Sequence, residues 1–182
     1  MTSLRRMLEI IGEPVEVSVP IDWGALERRF GSRLPADYVE LCNRYPTLRV
    51  DNFLGIFHPT ADADDGDLVS WVDDILGGAE ELVDEFPALE LVPYPLHPER
   101  GGLLPWGVTD NSDHLFWRTG GDPDAWTVVV AGHSYGKGAW WEFDGSLTDF
   151  IVGSVDRRVV CPVLDSDFPS PDAAITQVPL SS

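Results

Sequence analysis

The order of the predicted elements indicates an α+β fold, with helices first, a run of antiparallel strands next and a helix last. Two observations predict this order. Apolar residues recur at helical spacing in the N-terminal third and again after residue 146, whereas residues 101–143 read as strands separated by turns rich in Gly, Asp and Asn. The chain has 182 residues, 43% of them hydrophobic, which suits one domain with a sizeable core.

Three helices are predicted ahead of the strands. Residues 3–11 carry apolar residues at i, i+3, i+4 and i+7, and Gly12 follows them as a stop signal. Asp22 is a suitable N-cap for a second helix, which Gly31 ends. A third helix starts at Pro35, because proline fits the first turn of a helix. The apolar face of this third helix is formed by Tyr38, Leu41, Cys42 and Tyr45.

The middle of the chain is predicted to contain one strand and one long helix. Residues 50–57 mix aromatic and branched side chains, which predicts a strand. An acidic loop over residues 60–67 precedes an amphipathic helix over residues 68–86. Gly77 and Gly78 lie inside that helix and predict a kink or a break.

The strand block is predicted to form consecutive antiparallel strands, with turns near residues 110–113, 119–124 and 133–138. An irregular connector with four prolines, residues 87–101, leads into it, and helical spacing over residues 147–155 predicts a helix after it.

Two further segments have weaker patterns. Residues 15–19 alternate Val-Glu-Val-Ser-Val, which fits either a short strand or an extended linker. The chain from Cys161 onwards holds four prolines and is expected to be loosely structured.

The net charge of the chain narrows the class of partner. There are 31 acidic and 12 basic residues, a formal net charge of −19. Such a surface repels nucleic-acid phosphates and anionic membranes, so we expect neither as a partner. It attracts a basic protein and speeds the encounter with it, although a role in solubility alone is the alternative. Residues 62–99 hold twelve of the acidic residues and no Lys or Arg, which predicts a one-sided field.

The predicted partner surface combines this acid with an exposed tryptophan. Trp140 and Trp141 are adjacent in a predicted strand, so their side chains point to opposite faces and one of them should point outward. Tryptophan is enriched at the hot spots of protein interfaces. The alternative is that these side chains are buried in the core. The residues predicted to bind the partner are Asp62, Asp64, Asp65, Asp67, Asp73, Asp74, Trp140 and Trp141.

No residue spacing typical of a metal site or a catalytic centre occurs. The four histidines are widely separated, and Cys42 and Cys161 lack a CxxC spacing, so we expect reduced thiols, no metal and no cofactor. Residues 62–67 have the composition of a calcium loop without its closing Glu at the twelfth position. Ser134 follows His133 outside a GxSxG elbow, which leaves a hydrolase only as a further alternative. We expect no catalytic residues.

The N-terminus is typical of a cytoplasmic protein, and the sequence indicates no particular oligomeric state. This terminus contains two arginines but no long apolar core and no small-residue cleavage site, unlike a signal peptide. No apolar run approaches the length of a membrane span.

Two groups of residues, in this order and at this separation, resemble the SMI1/KNR4 family of the SUKH superfamily. The first group is Trp23 with Leu26, followed by residues 34–38 (Leu-Pro-Ala-Asp-Tyr). The second group comprises residues 104–107 (Leu-Pro-Trp-Gly), the turn over 110–113, the aromatic strand over 115–117 and residues 126–129 (Trp-Thr-Val-Val).

The resemblance implies helices packed on a curved, mainly antiparallel sheet, and a protein-binding rather than an enzymatic role. Many bacterial members resemble immunity proteins of polymorphic toxin systems, which often neutralise nucleases, and fungal members are regulatory scaffolds. We therefore expect an immunity-type protein whose partner is a basic toxin domain, with a regulatory or scaffolding module as the alternative. The family-like domain spans residues 20–157, between an N-terminal helix and linker (1–19) and a Pro-rich tail (158–182).

Overall fold

A computed structural model describes residues 2–61 and 67–179, and over these ranges it has an α+β fold, as the sequence predicts. Within them lie five α-helices, two short 3-10 turns and seven strands of one open sheet. The helices are α1 (Ser3–Ile11), α2 (Trp23–Phe30), α3 (Ala36–Arg44), α4 (Leu68–Glu85) and α5 (Leu147–Val155). The strands are β1 (Thr47–Val50), β2 (Leu54–Ile56), β3 (Leu103–Thr109), β4 (His114–Arg118), β5 (Thr127–Ala131), β6 (Trp140–Phe143) and β7 (Ile175–Val178).

All neighbouring strands of the sheet are antiparallel, in the order β6-β5-β4-β3-β2-β1-β7. The consecutive pairing of β3, β4, β5 and β6 confirms the prediction for the strand block, including its three turns. Helix α5 follows the block, as predicted. None of the helices in the described part of the chain is long and apolar enough to cross a membrane.

Side-chain and glycine caps set the ends of the predicted helices. The Asp22 carboxylate accepts a hydrogen bond from the backbone N–H of Ala25, 2.9 Å away, and so begins α2. Gly31 ends α2 in the left-handed conformation, with φ at +68°. At the start of α5, Ser146 and Asp149 form a reciprocal capping box.

The prediction of one strand over residues 50–57 is wrong, because a tight turn divides this stretch. Asp51 and Asn52 have φ angles of +54° and +50°, and β1 and β2 pair across them. Two consecutive positive φ angles define the turn that best matches the twist of a two-stranded hairpin, and Asp and Asn tolerate that conformation. The Asp-Asn dipeptide was the signal for this turn.

The predicted break in α4 is also wrong, since the helix runs without interruption through Gly77 and Gly78. A Cβ atom added at either position would meet no atom within 4 Å, so neither glycine is required by local packing. Residues 15–19 form the extended linker and not the strand.

The expectation of a loosely structured tail is wrong where β7 adds an edge strand to β1. The side chain of Ile175 is buried on the sheet. Ahead of β7, the Asp51 carboxylate accepts hydrogen bonds of 2.6 Å from both the N–H and the hydroxyl of Ser170. The sheet and its core therefore extend beyond residue 157. The core also includes Met7 of α1, before residue 20.

The aromatic residues that carry the family resemblance meet in one core. The ring of Tyr38 lies 6.4 Å from that of Trp23 and 5.0 Å from that of Trp117, and Trp117 lies 6.3 Å from Trp106. Trp106 lies at a bulge in β3 beside Gly107, where a Cβ would lie 2.8 Å from the carbonyl oxygen of Gly55. Tyr38, Trp106 and Trp117 are buried and Trp23 is partly buried against them, so these motif residues have a packing role.

Candidate functional site

Helix α4 separates a buried stripe from an acidic face. Leu68, Val72, Ile75 and Ala79 are buried at spacings of four, three and four residues, which defines one side of the helix. The opposite side is exposed and carries only acidic charge. We call this face the acidic surface; its residues are Asp73, Asp74, Glu80, Glu81, Asp84 and Glu85.

Few cations neutralise the acidic surface. Arg29, on α2, forms an ion pair with Asp73. The other five carboxylates of the surface form no ion pair with any residue in ranges 2–61 and 67–179. Most arginines are paired with acids elsewhere: Arg5, Arg6, Arg33, Arg49, Arg118 and Arg158. Helix α4 therefore presents five acidic side chains that no basic residue of the described ranges neutralises.

The structure gives different roles to the aspartates predicted to bind the partner. Asp67 is the N-cap of α4, where its carboxylate accepts a hydrogen bond from the N–H of Ser70 at 2.8 Å. Asp73 and Asp74 belong to the acidic surface. The remaining three predicted residues, Asp62, Asp64 and Asp65, lie outside the described residues.

Trp140 and Trp141 point to opposite faces of the sheet, as predicted, but neither is fully exposed. Trp141 packs on Phe143 and Phe150, on the face covered by α5. Trp140 packs on Phe116 on the other face, and both indoles are half-buried. The expectation of a freely exposed tryptophan is therefore wrong, because neighbouring aromatic side chains cover each indole.

An aromatic cluster surrounds Trp140. Its indole N–H donates to the carbonyl oxygen of Leu91 at 2.9 Å, which fixes the connector that follows α4. Its ring lies 5.6 Å from Tyr94 and 5.1 Å from Tyr135. Trp140 thus joins the edge of the sheet to the connector.

His114 is a partly buried, uncharged member of this cluster. Its Nδ1 is hydrogen bonded to the Tyr135 hydroxyl. Burial lowers the pKa of His114 to about 4, against a smaller opposing effect of the Asp113 carboxylate. Burial also raises the pKa of Tyr135, so this hydrogen bond joins two uncharged side chains at neutral pH.

A groove of about 490 Å³ lies between the C-terminal end of α4 and the connector. We call it the α4 groove; its apolar walls are Val83, Phe86, Leu91, Val92, Pro93 and Tyr94. This groove was not predicted from the sequence, because Val83 and Phe86 fit the apolar face of the predicted helix and were expected to be buried. The available signal was charge: Asp84 and Glu85 occupy the last turn, where the helix dipole disfavours acid.

The residues considered for a hydrolase have structural partners. The buried Asp113 carboxylate accepts hydrogen bonds from the Thr109 hydroxyl at 2.7 Å and from the backbone N–H of His133 at 3.1 Å. The His133 imidazole is exposed, and its Nδ1 lies 3.9 Å from Asp113. No hydrogen bond joins this imidazole to Ser134 in the described structure, so the two side chains are not arranged as nucleophile and base.

No cluster of three or more His, Cys, Asp or Glu side chains in ranges 2–61 and 67–179 has an arrangement that could hold a metal ion. The two cysteines are free thiols, and burial raises the pKa of both.

Comparison with protein-family models found no matching family, and searches of curated proteins and of solved structures found no significantly similar chain.

Proposed function

We propose that this chain is a non-enzymatic protein-binding domain that captures a basic protein through the acidic surface of α4. In its most specific form, the partner is a toxin domain, such as a nuclease, and the chain is an immunity-type protein that neutralises it. The observation that supports this proposal is an exposed helix face with six acidic residues and a single ion-paired cation beside it.

Charge of this kind acts mainly on the rate of association. A one-sided field attracts a basic surface over about 8 Å at physiological ionic strength and orients it before contact. A nuclease cleft that binds phosphates is lined with Lys and Arg. An acidic helix face placed in such a cleft would exclude the nucleic acid by occupying its site and by competing for the same cations.

The resemblance to the SMI1/KNR4 family supports the same proposal from the sequence side. Its motif residues, among them Trp23, Tyr38 and Trp106, form the core on which the helices pack. They account for the fold and leave binding to the surface. A regulatory or scaffolding domain would use the same acidic surface, so the identity of the partner distinguishes the two roles.

Capture of the partner tests the proposal. The wild-type chain is immobilised beside a variant in which Asp74, Glu80, Glu81 and Asp84 are replaced by Lys. A matched variant receives the same change in net charge at exposed acids elsewhere, namely Glu40, Asp144, Asp167 and Asp172. Proteins retained from a lysate of the producing cells are identified by mass spectrometry, at low and at high salt.

We expect the wild type and the matched variant to retain one basic protein at low salt and the α4 variant to lose it. A retained toxin domain whose activity the wild-type chain inhibits supports the immunity role, whereas a retained signalling protein supports the regulatory alternative. Equal retention by all three chains would show that the acid serves solubility alone, and the proposal would fail.

A further inference from the structure

The C-terminal end of α4 exposes a cluster of large apolar side chains. Val83, Phe86 and Leu89 are 41%, 40% and 62% exposed, and they lie within seven residues of one another. Scattered exposed apolar residues are normal in soluble proteins, but a contiguous group beside a groove is typical of an interaction site. This cluster adjoins the α4 groove, which Val83 and Phe86 line.

The exposure arises because α4 extends past the core. Val72, Ala79 and Phe86 are spaced seven residues apart and therefore lie on the same side of the helix. The first two are buried, whereas Phe86 is exposed. The fully buried stripe thus ends about two turns before the helix does. Leu82 is still partly buried against the core, whereas Val83 and Phe86 remain exposed.

The opposite wall of the groove is held in place from the sheet. The carbonyl oxygen of Leu91 accepts the hydrogen bond from Trp140, and the Tyr94 ring packs against the same indole. Both contacts are made within the chain, so the fold itself positions this wall. A wall that is already ordered loses less conformational entropy when a partner binds.

The charge around the groove is acidic. Asp84 and Glu85 lie at the negative end of the helix dipole, and Glu90 is itself part of the groove lining. The last turn of α4 has no basic residue. The Arg118 guanidinium lies 5.5 Å from the centre of the Tyr94 ring. It donates two hydrogen bonds of 3.0 Å to the Glu142 carboxylate, which neutralises its charge. A cation from outside would therefore find several uncompensated negative charges around an apolar floor.

We infer that the α4 groove binds a cationic segment of the protein partner through one or two large apolar side chains. This inference rests on the proposed function and adds the anchor that the acidic surface lacks. The apolar side chains would enter the groove between Phe86 and Tyr94, while flanking Lys or Arg residues pair with Asp84, Glu85 and Glu90. In this proposal the groove, and not Trp140, contacts the partner directly, and Trp140 positions the groove wall.

Three short synthetic peptides serve as probes. The first alternates Lys and Ser around a central Phe-Leu pair, the second replaces that pair with Ser-Ser, and the third replaces every Lys with Glu. Fluorescence anisotropy gives their dissociation constants for the full chain, and amide chemical shifts locate the bound peptide. We expect the first peptide to bind at least about tenfold more tightly than either of the others. The shifts should be centred on residues 83–94.

Variants test whether the exposed apolar side chains provide this affinity. Phe86→Ser with Leu89→Ser should weaken binding of the first peptide at least about tenfold. The matched control, Val17→Ser with Val160→Ser, removes two exposed apolar side chains elsewhere, which are 94% and 77% exposed, and should leave binding unchanged. Thermal unfolding should show that both variants remain folded, because the replaced side chains are exposed.

Three results would overturn the inference. If both Lys-containing peptides bind equally and shift only the acidic surface, the anchor is absent although charge-driven binding, and with it the proposed function, still holds. If the Glu-containing peptide binds as tightly as the first, the partner segment is not cationic. If no peptide binds, the groove is not a docking site, and the capture experiment decides the proposed function independently.

Discussion

The carboxylate of Asp37, in the first turn of α3, accepts two hydrogen bonds from Thr148, in the first turn of α5. The backbone N–H of Thr148 lies 3.1 Å and its hydroxyl 2.9 Å from the same Asp37 oxygen. The first N–H groups of a helix have no partner within the helix, so Asp37 supplies one from another element. Because Thr148 is buried, no solvent could replace this partner without rearrangement.

Removal of this carboxylate should destabilise the fold. We expect Asp37→Ala to lower the free energy of unfolding by about 2 kcal/mol, since the buried N–H of Thr148 would lose its acceptor and its hydroxyl would keep only Ser146 as a partner. Urea denaturation of the variant and the wild type measures the difference. Glu40→Ala removes an exposed carboxylate from the same helix and should change the stability by less than about 0.5 kcal/mol. Equal effects of the two substitutions would contradict a specific role for Asp37.

The two glycines inside α4 offer a test with the opposite sign. We expect Gly78→Ala to raise the free energy of unfolding by about 0.5–1 kcal/mol, because alanine favours the helix and its Cβ would meet no atom within 4 Å. Denaturation midpoints of the two chains give the measurement. Gly31→Ala is the contrasting control, and it should destabilise, because Gly31 has a φ of +68°. A loss of stability in Gly78→Ala would indicate that α4 bends there.

Helix α2, the β1–β2 hairpin and strand β7 show which parts of the fold can be predicted from the sequence. The helices with strong local signals, such as the Asp22 cap and the Gly31 stop, were predicted with their ends. The hairpin at Asp51 was missed because its strands are short, so that its turn appeared to be part of one apolar run. Strand β7 could not be predicted locally. Three of its four residues are β-branched, but the strand is too short to show a period, and its pairing with β1 joins residues more than 120 positions apart.

The candidate site was predictable only where it depends on local sequence. Acidic composition between residues 62 and 99 follows from the sequence, and helical periodicity places the acids opposite the buried stripe. The α4 groove depends on where the helix leaves the core, which is a tertiary property. Phe86 has the phase of a buried residue but is 40% exposed, because it lies beyond Ala79, the last fully buried residue of the helix.

The edge strand β7 should contribute measurably to stability. We expect Ile175→Ala to cost about 2 kcal/mol, since the side chain is 6% exposed and its loss leaves a cavity against β1. Thr176, the next residue, is exposed and its replacement by Ala should cost less than about 0.5 kcal/mol. Thermal unfolding monitored by circular dichroism compares the two variants. Similar melting temperatures for both would show that the tail contributes little to the core.

The partly buried His114 should make the stability of the protein depend on pH. Its pKa is lowered from 6.5 to about 4 in the folded chain, so between these values the unfolded chain binds a proton that the folded chain does not. Stability from this group is therefore fully present above pH 6.5 and is lost as the pH falls towards 4. At 1.36 kcal/mol per pKa unit, the loss at pH 5 relative to pH 7.5 is about 1–2 kcal/mol.

Comparison with His114→Gln isolates this contribution from that of the carboxylates and of His58, whose pKa burial also lowers. Glutamine retains an acceptor for the Tyr135 hydroxyl but takes up no proton. We therefore expect the free energy of unfolding of the wild type to fall by about 1–2 kcal/mol more than that of the variant between pH 7.5 and pH 5. His133→Gln, at an exposed imidazole, is the matched control and should follow the wild type. If His114→Gln follows the wild type as well, the buried imidazole is not the source of the acid sensitivity, and the proton must be taken up elsewhere on unfolding.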